Sequence, residues 1–241
     1  MVKQHAKRLA HALGFEVKKW RWSPSYLARL ARPGTVVDVG AGYGTPELHR
    51  AFPGAHFCLV EPVEEYAPYL EKLARTCDCC IHYRAVGSRA GALEIQVDPH
   101  ILTRTSFAAR TDLTSTGASL RSRQVEVVTL DQLRAEHHQL PGPILLKIDT
   151  EGFELEVIKG GDRFLQETAT VIAEVSIGPR FVGGYCFEEL VRAMDERGFA
   201  VHDILRVSYV RGGTGARFAD IVFQRRPGPV VEGLPDGGAD R

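Results

Sequence analysis

Five short runs rich in β-branched and other apolar residues punctuate this chain: "TVVDVG" (35–40), "HFCLVE" (56–61), "CIHYRAV" (80–86), "ILLKID" (144–149) and "TVIAEVS" (170–176). The first, second and fourth lead into segments with the apolar spacing of helices. Strands that are nearly apolar throughout must be covered on both faces, and alternation with helices supplies that cover in a parallel sheet with crossover connections. The predicted fold class is therefore α/β, a mostly parallel sheet with helices on both faces. "EELVRAMDERGFAVHDIL" (188–205) predicts a helix stopped by Gly198 and then a strand, and "RFADIVFQR" (217–225) a further strand, giving an antiparallel terminal pair.

Two amphipathic helical stretches, Val2 to Val17 and Pro24 to Ala31, precede the first strand, the second with Ser23 as N-cap and Pro24 at the first helical position. From Arg226 the chain reads "RPGPVVEGLPDGGADR", without periodicity. The expected organisation is an N-terminal helical extension over 1–32, one domain over 33–226 and a mobile tail over 227–241.

Thirty basic residues offset thirty acidic ones, so no overall field draws this chain to nucleic acid or an anionic membrane, and a small molecule is the expected partner. Met1 to Arg32 contains no uninterrupted apolar run and no small-residue cleavage site, which predicts a cytoplasmic protein without signal peptide or span. Cys58, Cys77, Cys79, Cys80 and Cys186 are expected to be reduced thiols. "CDCCIH" (77–82) lacks the second ligand pair that structural zinc sites usually space a dozen or more residues away, so no metal site is expected there. His137 and His138 read as a solvated connection before Pro141.

The chemistry begins at "VVDVGAGYGTPEL". A strand ends at Val39; Gly40, Gly42 and Gly44, with Tyr43 between them, let the backbone turn tightly beside a ligand, and Thr45 before Pro46 predicts a helix cap. Such a turn presents a helix N-terminus to a nucleotide-like ligand. The second strand ends in Glu61, nineteen residues after Gly42, where an acid can accept hydrogen bonds from both hydroxyls of a ribose. In a dinucleotide-binding G-x-G-x-x-G turn the third glycine would fall at Thr45, and Asp38 inside the strand is unusual for that class. The residues instead resemble the h-h-D-h-G-x-G-x-G signature of S-adenosylmethionine (SAM) sites.

"VVDVGAGYG", "LVEPVEEYAPYLEKL", "RAVGSRAGALEI", "VEVVTLDQL" and "LLKIDTEGFELEVIKGG", in this order and spacing, resemble the FkbM-type SAM-dependent methyltransferases over residues 33–225. The resemblance implies a class I methyltransferase, Rossmann-like fold and methyl transfer to a hydroxyl of a small metabolite, sugar or natural product. It implies that Asp38, Gly40, Gly42, Tyr43, Gly44 and Glu61 bind the cofactor and that Ala85, Val86 and Gly87 flank its adenine. Two departures stand out. Members commonly carry a histidine two residues after the glutamate of the fifth strand, whereas Glu174 is followed by Val175 and Ser176; and the family's serine-rich turn reads "TRTSFAART" here. An NAD(P)-linked oxidoreductase and a nucleotide-binding module without catalysis are the alternatives.

"LLKIDTEGFELEVIKGG" (145–161) places a lysine inside an apolar strand and follows it with carboxylates. Strand alternation puts Lys147 and Asp149 on one face, and a buried ammonium needs a carboxylate, so Lys147 is expected to pair with Asp38 or Asp149. Asp149, Glu151 and Glu174 are the candidate catalytic carboxylates, as a base or as ligands to a shared divalent cation, with a helix cap as the plain alternative for Asp149. Glu154 and Glu156 read as surface charges on a helix that Gly160 ends. Trp20 and Trp22 are candidates for a lid over the acceptor, or simply anchors for a helix, and the hydroxyl- and arginine-rich stretch 104–124 is a candidate acceptor loop.

Overall fold

The computed structural model describes residues 8, 10–14, 19–98, 102, 105, 120–137, 140–178, 180–210 and 212–227. Most of the expected first helix, His138, the centre of the candidate acceptor loop and the expected tail beyond 227 lie outside these residues. The elements run α1 (Pro24–Leu30), β1 (Thr35–Val39), α2 (Pro46–Ala51), β2 (His56–Val60), a 3₁₀ turn (Glu64–Tyr66), α3 (Ala67–Ala74), β3 (Cys79–His82), β4 (Ala85–Val86), β5 (Gly91–Val97) and β6 (Arg121–Val128). They continue through α4 (Leu130–Glu136), β7 (Ile144–Ile148), α5 (Glu154–Lys159), α6 (Asp162–Glu167), β8 (Thr168–Ser176), α7 (Phe187–Glu196), β9 (Phe199–Tyr209) and β10 (Ala216–Arg225).

The main sheet has the order β3-β2-β1-β7-β8-β10-β9. Its strands are parallel from β3 to β8, and β10 runs antiparallel between β8 and β9. This is the doubly wound arrangement with an antiparallel terminal pair that the apolar runs predict. β1 and β7 are buried at every position because helices cover both faces. One face packs Val37, Cys58, Leu146 and Ala173 under α4 to α7; the other packs Val36, Leu59, Leu145 and Ile172 under α1 to α3. Chain order reverses between β2 and β7 around β1, and a sheet of this kind opens a crevice at the C-terminal ends of the strands at such a point.

Three local expectations need correction. The run 80–86 is two strands: β3 pairs with β2 in the main sheet, while β4 pairs with β6 in a separate three-stranded sheet of order β4-β6-β5. The break falls at Tyr83 and Arg84, a polar step between the half-buried edge strand and the fully buried Ala85 and Val86. Ser23 and Thr45 occupy N-cap positions, yet neither side chain makes a capping bond. Thr45 Oγ1 is turned back toward the strand, where it donates to Asp38 Oδ2 at 2.8 Å, a charge-assisted bond to a buried carboxylate.

Candidate active site

Toward their C-terminal ends the central strands change character on the face that packs against α1 to α3. Val36 gives way to Asp38, Leu145 to Lys147 and then Asp149, and Ile172 to Glu174, each step of two residues keeping to one face. Register brings the charges together: Asp38 lies opposite Lys147 on the neighbouring strand, and Asp220 lies between Glu174 and Arg206. The apolar part of this face is the floor of the core, and its charged end is the floor of a site.

Lys147 is the centre of the first group. Its Nζ lies 3.0 Å from Asp38 Oδ1 and 3.6 Å from Asp149 Oδ2, and it donates to the Gly40 carbonyl at 3.0 Å. Burial works against the ammonium, but Asp38 and Asp149 outweigh it and hold the Lys147 pKa above the ordinary lysine value. The expected pairing of Lys147 is thus found, and with it the reason for a lysine in an apolar strand: it ties β1, β7 and the glycine turn at one point.

Gly40, Gly42 and Gly44 all have positive φ, at +75°, +52° and +85°. At Gly40 a Cβ would stand 1.9 Å from the Asp149 carbonyl oxygen. That glycine is required by the approach of the β7 end to the turn, before any ligand is considered. Glu61, 5% exposed, accepts from the Gly42 amide through Oε2 at 2.8 Å and from the Val63 amide through Oε1 at 3.0 Å. Burial pushes its carboxyl up to about 7 against the pull of these two amides. Each carboxylate oxygen retains a lone pair for a further donor, so the two ribose hydroxyls of SAM can still be met there.

The crevice beside this turn has a volume of about 260 Å³ and is lined by the turn residues 39–45, by Glu61, Ala85 and Val86, and by Lys147, Asp149 and Glu151. Tyr43 packs edge-on against Tyr66 and Tyr69, ring centroids 4.8 Å apart in both pairs. Asp38 touches the site through Lys147 and Thr45. Gly87 is not among the lining residues: its amide donates to Val128, and a Cβ there would meet the Phe153 ring at 2.9 Å. The open glycine turn, the buried acid nineteen residues after Gly42 and the apolar Ala85–Val86 wall together fit the nucleoside of SAM.

A second cavity of about 290 Å³ adjoins the first and shares Thr45, Lys147 and Asp149 with it. Trp20, Trp22, Glu47, Glu174, Arg206 and Asp220, with the apolar Ile148 and Ile172, complete its walls. Trp22 is both anchor and wall, since its indole N–H donates to Asp220 Oδ2 at 2.6 Å. Trp20 is 61% exposed at the rim.

Asp149, Glu151 and Glu174 do converge, each offering an oxygen within 4.8 Å of the others. Glu151, at φ +52°, and Gly152, at φ +101°, turn the chain back after β7, which swings Glu151 toward β8. Arg180 then bridges the pair, donating to Glu174 Oε1 and Glu151 Oε2 at 2.7 Å each, and Arg206 reaches Glu174 Oε2 at 3.4 Å. Burial, with Asp149 and Glu151 nearby, raises Glu174 to about 8 despite those guanidiniums. Arg180 and, at longer range, Arg206 already bring positive charge to Glu151 and Glu174, so a divalent cation held by the three carboxylates would compete with Arg180 for the same oxygens.

Glu154 is not the surface charge that its helical setting predicts. It is 1% exposed and accepts from the amides of Thr150 and Gly152 at 3.1 and 3.0 Å through Oε1 and from the Tyr185 hydroxyl at 2.8 Å through Oε2. Glu154, and not Asp149, therefore secures the turn after β7, and Phe153 is the N-cap of α5. Glu156 is half-buried and pairs with Lys159 at 2.6 Å while accepting from the Ser88 hydroxyl at 2.5 Å. Arg180 had no sequence signal, sitting in an irregular stretch; Asp220 had one, as a lone acid in an apolar strand, the same signal that marked Lys147.

A family model described as the methyltransferase FkbM domain matches residues 38–201. No curated protein matches. Among solved structures, magnesium protoporphyrin IX methyltransferase from Synechocystis PCC 6803 with bound SAM is similar at 10% identity and TM-score 0.45, over 84% of this chain and 74% of that one. Fibrillarin from Aeropyrum pernix, in complex with natively bound S-adenosyl-L-methionine, is similar at 11% identity and TM-score 0.46, over 84% and 76%.

Proposed function

The chain belongs to the FkbM family of SAM-dependent methyltransferases, and on that premise we propose that it methylates a hydroxyl of a small polar acceptor bound in the cavity beneath Trp20 and Trp22. The observation that carries the reading is the junction of the two cavities at Thr45, Lys147 and Asp149. A donor in one cavity and an acceptor in the other meet beside Asp149, which is the positional requirement for direct group transfer. SAM, when bound, supplies an electrophilic methyl group on a sulfonium sulfur.

The residues of this chain do the rest. Glu61 and the glycine turn hold the nucleoside end, and the carboxylates near the junction favour a cationic donor. Asp149, whose side chain is 35% exposed, is the carboxylate placed to take the proton of the acceptor hydroxyl. Lys147 fixes the position of Asp149, and the charged wall of Glu47, Glu174, Arg206 and Asp220 offers both donors and acceptors to a polyhydroxylated molecule, with indole faces for its apolar side. Asp149→Asn tests the assignment: SAM affinity by calorimetry should weaken only modestly, through the loss of one carboxylate facing the cationic donor, while single-turnover transfer slows far more. Transfer at the wild-type rate would remove Asp149 from the chemistry.

The family assignment displaces the oxidoreductase alternative. Among the described residues no helix is long and apolar enough to cross a membrane.

A further inference from the structure

We propose that Cys58, Cys80, His82 and His137 form a tetrahedral structural zinc site on the sheet face opposite Asp38 and Lys147. The sequence "CDCCIH" lacks a second ligand pair, and the fold supplies one from elsewhere. β2 and β3 pair in parallel with Cys58 opposite Cys80 and Val60 opposite His82. Cys58, Cys80 and His82 therefore share one face, the face that packs beneath α4. α4 ends at Glu136, and His137, its C-cap, brings its ring edge-on to that of His82, centroids 4.7 Å apart. The residue expected to lie in a solvated connection is thus the fourth member of a half-buried cluster.

The four donor atoms all lie within 4.8 Å of one another. Zinc bonds of about 2.0–2.1 Å to nitrogen and 2.3 Å to sulfur put tetrahedral donors roughly 3.3–3.8 Å apart, so the ligands need only small shifts to close on an ion. His82 Nε2 and His137 Nε2 stand 2.8 Å apart and share a proton as a hydrogen bond without metal; an ion replaces that proton as the two nitrogens part to about 3.3 Å. His56 Nε2 lies 3.7 Å from Cys80 Sγ, its ring held by Asp78 at 3.1 Å, in the place of an outer partner to a ligand sulfur.

Loading balances simply. The two thiols release their protons to solvent, two thiolates and two neutral imidazoles receive one Zn²⁺, and the site becomes neutral overall. Arg84 now donates to His82 Nδ1 at 3.1 Å; with zinc on Nε2 that nitrogen carries the ring proton, and Arg84 turns wholly to Glu136 and Glu126, which it already reaches at 3.0 and 3.7 Å. All four positions come from protein, which marks a structural site and not a catalytic one. Its mechanical effect is to pin edge strand β3, half-buried along its length, and the end of α4 to β2.

The test uses the full chain purified without chelator. Elemental analysis should find one zinc per chain, and cobalt substitution should give tetrahedral ligand-field bands with thiolate charge transfer. His137→Ala, at a partly exposed position, should remain folded by circular dichroism and lose zinc affinity by more than the roughly 10–100-fold that loss of an outer partner costs. Cys58→Ser should lose the thiolate band in part or unfold, whereas Cys79→Ser should keep metal and spectrum unchanged. A folded wild-type chain that takes up no zinc from zinc-containing buffer overturns the site. So does a cobalt spectrum without thiolate bands, or an unchanged affinity in His137→Ala.

Discussion

Lys147 Nζ lies 3.0 Å from Asp38 Oδ1, directly across the register of β7 and β1, with the lysine side chain 7% exposed and the aspartate 1%. Removing one member of so buried a pair strands the other. Lys147→Met is expected to destabilise by about 3–5 kcal/mol, read as a lower urea midpoint at unchanged slope, and the double variant with Asp38→Asn should recover part of that loss. Equal stabilities of Lys147→Met and wild type would show that the pair does not anchor the strands.

Glu61 is expected to bind ribose as the ionised carboxylate. With its folded pKa raised to about 7, SAM affinity should strengthen as pH rises through 7 and level off above it. The fold itself responds in the opposite sense. A carboxyl whose folded pKa exceeds its unfolded one contributes stability below the unfolded value, near 4.5, and that contribution is lost as pH rises through about 7. Glu61→Gln should flatten the affinity profile, and Glu61→Ala should weaken SAM by about 10- to 150-fold in calorimetry. A profile in Glu61→Gln that still bends near 7 assigns the titration to another group.

Asp149→Asn should slow methyl transfer by about 10²–10⁴-fold, the usual contribution of a positioned acid–base group. Because Arg180 already occupies the facing oxygens of Glu151 and Glu174, the rate of the wild type should not change on brief exposure to a chelator that strips loosely held divalent ions. A chelator-sensitive rate at constant fold would restore the carboxylates as metal ligands.

Glu154→Ala takes the acceptor from two backbone amides and the Tyr185 hydroxyl in a closed site. At about 1–3 kcal/mol for each donor left unsatisfied, a loss of at least about 3 kcal/mol is expected in chemical denaturation. Glu156→Ala, two residues further on and half-exposed, gives up only its bonds to Lys159 and Ser88 and should cost about 1 kcal/mol or less.

Trp20→Ala should leave thermal stability nearly unchanged, because the indole is 61% exposed, while raising KM for the acceptor and sparing SAM affinity. Trp22→Phe should lower stability as well, through the lost bond to Asp220. If both variants bind and turn over acceptor as wild type does, the second cavity is not the acceptor site.

Much of this protein is local and therefore legible in its residues. Apolar runs of strand length separated by helical periodicity specify a doubly wound sheet, because only two covered faces bury such strands. The glycines of 40–44 mark a turn with positive φ, and a lysine in an apolar strand demands a buried partner whatever the fold. What the sequence left open depends on which distant strands become neighbours. Glu154 looks like a helix surface charge until the turn at Glu151 and Gly152 folds its amides over it; Arg180 is an unmarked residue until it falls between Glu151 and Glu174. Cys80 and His82 are half a metal site until β2 supplies Cys58 and the end of α4 supplies His137. Side-chain periodicity is a property of a few adjacent residues, whereas a ligand set or a charge network is closed by register and crossover, and those exist only once the sheet has formed.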